Sequence, residues 1–221
     1  MNLVIIAPHP DDETLGAGGT LLKYREGGAN IFWIVVTSAK SEYGYPAEQV
    51  KREAETVEEV AAQYRFKQTL QLGLPPAALD AVPEKALIGE LGSALKTLQA
   101  EVLLLPFGSD AHSDHRHVFS GAAACLKWFR YPSIKTVLTY ETLSETEFNL
   151  NPTLVPFRPN CFSDISRYLA QKIEIMKIYD REISTHPFPR SIEAIRALAT
   201  LRGANSGFEA AEAFMVLKTL F

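Results

Sequence analysis

The chain has 221 residues, 47% of them hydrophobic and 22% charged, with 13 Gly and 13 Pro. That length and balance exclude disordered, collagen-like and low-complexity classes, and they suit one domain whose core needs no disulfide. The net charge is −4 with no Lys/Arg-rich block, so neither nucleic-acid nor anionic-membrane binding has electrostatic support.

Residues 3–7 form a short apolar run, as in a strand covered on both faces. Residues 13–26 read as a helix ending at Gly27-Gly28. A second buried strand covers 31–37. In 51–65, Ala54, Val57, Ala61 and Tyr64 recur at helical spacing. A third strand covers 69–72. Pro83 then opens a helix marked by Leu87, Leu91, Leu95 and Leu98. Val102–Pro106 is a fourth strand, 115–129 a helix, and 134–140 a fifth strand. Strands separated by helices imply right-handed crossovers and a mostly parallel sheet in a Rossmann-like three-layer α/β fold.

Beyond residue 140 the character changes. Residues 144–162 are rich in Asn, Pro and Thr and read as a long loop or hairpin. Helices are expected at 167–182 and 189–200, and a short last element at 209–219. The organisation expected is one domain over 1–221, with an α/β core at 1–140 and a C-terminal cap at 141–221. No apolar run approaches the roughly 18 residues of a membrane helix. The start lacks the basic region of a secretory signal. Cys125 and Cys161 fit no metal or redox spacing. These features point to the cytoplasm.

Ligands of open α/β sheets bind at the carboxyl ends of strands. Two such ends are crowded with metal-ligand types: Pro8-His9-Pro10-Asp11-Asp12-Glu13 after the first strand, and Asp110-Ala111-His112-Ser113-Asp114-His115 after the fourth. Either Asp alone could cap the following helix, and a lone His is commonly a core or surface residue. Together, however, the loops would gather three carboxylates and three imidazoles in one place. Charges that close need a cation among them. Two His and one carboxylate with a position left for water is a ligand set of catalytic zinc. Spacing alone does not assign the ligands.

The first loop followed by Gly16-x-Gly18-Gly19-Thr20, with His112-Ser113-Asp114-His115 about a hundred residues later, resembles the PIG-L/LmbE-like zinc-dependent N-deacetylases. Softer likeness continues through Phe162-Ser163-Asp164, Lys172, Tyr179, His186-Pro187-Phe188-Pro189-Arg190, Arg202-Gly203 and Ala211-Glu212-Ala213-Phe214. Pro8 stands where the family usually has Ala, at no ligand position. The resemblance implies one zinc per chain held by His9, Asp12 and His115. It implies Asp11 as the general base that takes a proton from the attacking water. His112 would face the developing oxyanion, and Asp114 would hold His112 protonated. Zinc lowers the pKa of bound water toward about 7, and zinc with an imidazolium stabilises an oxyanion.

Arg52 resembles the family's substrate-contacting arginine, while Glu53 and Glu55 read as surface residues. Tyr140, at the end of the fifth strand, and His186 and Arg190, in the Pro-rich part of the cap, are further candidates for substrate contact. His117 reads as a bystander. Gly16, Gly18 and Gly19 miss the dinucleotide-binding spacing, because its last glycine would fall on Leu21, and they fit close helix packing instead. The expected activity is removal of an acetyl group from an N-acetylglucosamine-containing small molecule. Its rivals are a non-catalytic sugar-binding module with a structural metal and a metal-dependent phosphoesterase. Oligomeric state is not legible in the sequence.

Overall fold

The computed structural model describes residues 1–220. Five strands, β1 (Asn2–Ala7), β2 (Asn30–Thr37), β3 (Gln68–Leu74), β4 (Val102–Pro106) and β5 (Thr136–Tyr140), run parallel in the order β3-β2-β1-β4-β5. Two antiparallel pairings extend the sheet beyond β5, first to β7 (Ala211–Thr219) and then to β6 (Cys161–Asp164). The helices are α1 (Asp12–Glu26), α2 (Ala47–Tyr64), α3 (Glu84–Thr97), α4 (Ser113–Ala124), α5 (Leu169–Met176) and α6 (Ile192–Ser206). The strict alternation of β1 separates two cores. Leu3 and Ile5 join Trp33, Val57 and Tyr64 on one face; Val4 and Ile6 join Leu87, Leu91 and Val118 on the other. None of the described helices is long and apolar enough to cross a membrane.

Several elements differ from the expectations, among them the helix expected over 167–182, which ends at Met176. The helix expected over 115–129 stops at Ala124, where the chain tightens as the Cys125 N–H bonds the Ala122 carbonyl. The aromatic pair Trp128-Phe129, which mimics a continuing apolar face, is exposed in the following turn. The loop of 144–162 ends in a strand, and the short last element is a nine-residue strand inside the sheet. The C-terminal region therefore both completes the sheet and packs helix α5 against α1, with α6 lying on β7.

Helix α1 is broken at Ala17, whose φ of −146° leaves the helical region. The freed backbone groups are answered from the C-terminal region. Lys172 Nζ donates to the Leu15 carbonyl at 2.8 Å, and the Gly19 and Thr20 N–H groups donate to Glu212 at 2.8 and 2.7 Å. Lys172 and Glu212 are buried and paired at 2.7 Å. Such closeness needs small residues. A Cβ on Gly16 would lie 2.2 Å from the Tyr140 ring, and one on Gly18 would lie 2.5 Å from the Tyr64 hydroxyl. The Tyr140 ring cannot retreat, because it is fully buried and its hydroxyl donates to the Ile6 carbonyl at 2.8 Å. Gly16→Ala is therefore expected to destabilise the fold by about 1–3 kcal/mol, lowering Tm by roughly 2–10 °C. Thermal unfolding checks this, and an unchanged Tm would show that the α1–β5 contact is loose.

Candidate active site

The two loops meet at the carboxyl edge of β1 and β4. Asp12 is the shared centre. Its Oδ2 lies 3.4 Å from His9 Nδ1 and 3.3 Å from His115 Nε2, and it accepts the His9 backbone N–H at 2.9 Å. His9, Asp12 and His115 offer ligand atoms that all lie within 4.8 Å of one another. Around a tetrahedral ion with bonds of about 2.0–2.1 Å, neighbouring ligand atoms stand about 3.3 Å apart. The two separations from Asp12 match that figure.

Both imidazoles have a carboxylate on the far nitrogen. His115 Nδ1 pairs with Asp110 Oδ2 at 2.8 Å, and His9 Nε2 pairs with Asp114 Oδ2 at 3.0 Å. Such backing fixes the orientation of a metal-binding imidazole and raises its basicity. Asp110 is held in turn by Thr146 Oγ1, which donates to Oδ1 at 2.7 Å. Although burial opposes charge on His9, its hydrogen bonds to Asp114 and Asp12 raise its pKa to about 9. His115 is raised as well, burial again opposing and Asp12 and Asp110 prevailing. Burial would raise Asp12, but His115 and His9 hold it well below the usual carboxylate range. The carboxylates thus favour two positive charges here, the same total as one divalent ion. The donor chemistry fits a metal.

Asp11 is different in kind. It is buried with φ of 126°, a conformation costing about 1–3 kcal/mol in a non-glycine residue. Its N–H donates to Glu13 Oε2 at 3.1 Å, and Glu13 Oε1 accepts from Thr14 Oγ1 at 2.5 Å and from the Tyr179 hydroxyl at 2.8 Å. Glu13 therefore pins the strained turn, and α5's following turn supplies the outer support. The Asp11 carboxylate has no hydrogen-bond partner among the described residues. Burial and the neighbouring Asp12 charge push it well above the ordinary carboxylate range. Burial likewise raises Glu13 to about 7.

His112 caps α4, its Nδ1 accepting the Asp114 backbone N–H at 3.1 Å. That leaves the proton of the neutral ring on Nε2. Burial, with His9 and His115 nearby, depresses its pKa to about 4. Among the described residues no hydrogen bond joins the Asp114 carboxylate to the His112 ring. The Asp114 carboxylate serves His9 and the N–H groups of Ala77 and Leu79, at 2.7 and 3.2 Å.

His9, Asp11, Asp12, His112 and His115 line one cleft of about 390 Å³. Arg52 stands at it, half exposed and 4.0 Å from Asp180. Arg190 also lines it, with its guanidinium committed to Glu182 and to Ser144 Oγ at 2.9 Å. Two expected contacts fall outside. Tyr140 is sealed beneath α1, and His186 is exposed away from the cleft lining. Two lining residues carried no clear sequence signal. Glu53 turns inward to accept the Ala39 N–H at 2.8 Å. Thr142 is buried with a hydroxyl that has no partner.

Over nearly its whole length the chain is similar to the diacetylchitobiose deacetylase of Thermococcus kodakarensis. The two are 21% identical across 226 residues, covering 99% of this chain and 84% of the relative. A conserved protein of Thermus thermophilus superposes with a TM-score of 0.78 at 25% identity, covering 99% of this chain and 96% of that one. The N,N'-diacetylchitobiose deacetylase of Pyrococcus horikoshii gives 0.79 at 18% identity, covering 98% and 84%. The family profile described as PIG-L, GlcNAc-PI de-N-acetylase, matches residues 4–126, more than half of the chain and the stretch that carries both loops; the chain belongs to that family.

Proposed function

We propose that this protein, a single domain over 1–221 working in the cytoplasm, hydrolyses the acetamide of an N-acetylglucosamine-containing small molecule. The products are acetate and a free amine. The observation that carries the reading is the uncommitted, buried Asp11 carboxylate beside three converging metal ligands. Zinc suits His9, Asp12 and His115, and when bound it supplies Lewis acidity to the carbonyl and acidity to water. Asp11 takes a proton from the water as its oxygen attacks the carbonyl carbon. The His112 Nε2–H donates to the carbonyl oxygen as charge builds there. When the C–N bond breaks, Asp11 returns the proton to the leaving nitrogen. Arg52 and the Thr142 hydroxyl, both lining the cleft, would bond sugar hydroxyls. Arg190 shapes the wall through Ser144 and Glu182. A two-metal phosphoesterase is disfavoured, because the second ligand group, His9, His112 and Asp114, borrows His9 from the first.

A panel of N-acetylglucosaminides assayed for free amine tests the reaction. At least one should release amine, and a chelator should abolish release. Activity untouched by chelation, or no amine from any member, would contradict the proposal.

The base is tested by an isostere. Asp11→Asn should keep bound metal and the parental Tm while losing on the order of 10²–10⁴ in kcat. Metal analysis beside kinetics decides it. Loss of metal would make Asp11 a ligand, and a near-parental rate would place the base elsewhere.

The neutral state of His112 has a pH signature. With its pKa near 4, His112 stays uncharged from about pH 6 to about 8, so no alkaline fall in rate belongs to it. His112→Gln should lower kcat by roughly 10²–10³, the worth of an oxyanion donor, without reshaping the pH profile. An alkaline limb in the parent that disappears in His112→Gln would show an imidazolium at work.

A further inference from the structure

The turn between α4 and β5 holds the most exposed aromatic pair among the described residues. Trp128 is 70% and Phe129 62% exposed, and they are adjacent. Cations lie along the same turn and on the segments that touch it. The Arg130 guanidinium lies 5.7 Å from the Phe129 ring centre, and Lys96 Nζ lies 5.2 Å from that of Tyr131. Lys135 Nζ donates to the Pro132 carbonyl at 2.8 Å. Lys218 Nζ sits 3.5 and 3.4 Å from the Leu126 and Ile134 carbonyls, and Lys127 is exposed. Among the described residues, none of these five cations has a carboxylate within 4.0 Å. Glu101, whose backbone carbonyl accepts the Lys135 N–H, has its carboxylate on the Asn2 N–H and near the terminal amine of Met1. A net charge of −4 hides this cluster, because charge acts locally within a Debye length of about 8–10 Å.

We propose that this turn docks on an anionic lipid surface, with Trp128 and Phe129 entering the headgroup region and the five cations facing the lipid phosphates. Aromatic side chains favour that interface, and each nearby Lys or Arg adds attraction to an anionic leaflet. An isologous contact between two copies would set this cationic patch against itself, which like-charge repulsion opposes. The turn lies at the edge where β4 and β5 begin, opposite the cleft at their carboxyl ends. Docking would leave the cleft open to solution.

The chain has two tryptophans, and Trp33 is wholly buried, so a change in emission reports Trp128. The full chain would be mixed with phosphatidylcholine–phosphatidylglycerol vesicles or phosphatidylcholine vesicles and followed by sedimentation and tryptophan emission. Expected are co-sedimentation and a blue shift with the anionic vesicles alone, both weakened by added salt. The double variant Lys127→Glu/Arg130→Glu should weaken partition by on the order of a hundredfold. Trp128→Ala/Phe129→Ala should also weaken it, and both variants should keep the parental Tm as the check on folding. No binding to the anionic vesicles at low salt would overturn the proposal, as would parental binding by either variant. A blue shift that grows with protein concentration without lipid would assign the patch to self-association, and preferential capture by an RNA or acidic-peptide competitor would assign it to a polyanion; either result overturns the lipid assignment.

Discussion

One carboxylate oxygen organises the site. Asp12 Oδ2 faces imidazole nitrogens from both loops, at 3.4 and 3.3 Å, in a setting where Asp12 is almost wholly buried. An unpaired charge in such a place is strongly destabilising, so both imidazoles must turn toward it. Each can do so because another carboxylate, Asp114 or Asp110, occupies its opposite nitrogen. The result is a linear order of acid, imidazole, shared acid, imidazole, acid. That order brings β1's loop to β4's loop and leaves Asp11 outside the pairing.

Asp11 is kept free by strain rather than by a partner. Its positive φ turns the carboxylate away from the helix it precedes, where an aspartate would ordinarily cap the first turn. Glu13 compensates by taking the Asp11 N–H, and the Tyr179 hydroxyl holds Glu13. One turn further on, Lys172 and Glu212 answer the backbone groups that the break at Ala17 exposes. The C-terminal region thus holds α1 at its first turn and again at the break, from buried side chains far away in sequence. Rotating that turn would misplace Asp11 and Asp12 together.

The parallel strands were legible because each is a continuous apolar run with a helical period after it. Val102–Pro106 agrees to the residue. The two ligand loops were legible because His and Asp crowd together just after strands. What was not legible depends on direction rather than composition. Asp110 sits in the same loop as His115, but only the fold shows its carboxylate behind that ring. Glu53 reads as one more charge on a solvated helix, yet it turns toward Ala39. Tyr140 lies at a strand end, as a ligand contact should, but the glycine face of α1 closes over it. The strand at β7 resembles a short terminal element until its pairing with both β5 and β6 is seen.

Anomalous diffraction from metal-loaded crystals addresses the shared-carboxylate arrangement most directly. One ion is expected, bonded at about 2.0–2.2 Å by His9, Asp12 and His115, with Asp11 close by but unbonded. An ion held instead by His9, His112 and Asp114, or one bonded directly by Asp11, would contradict it.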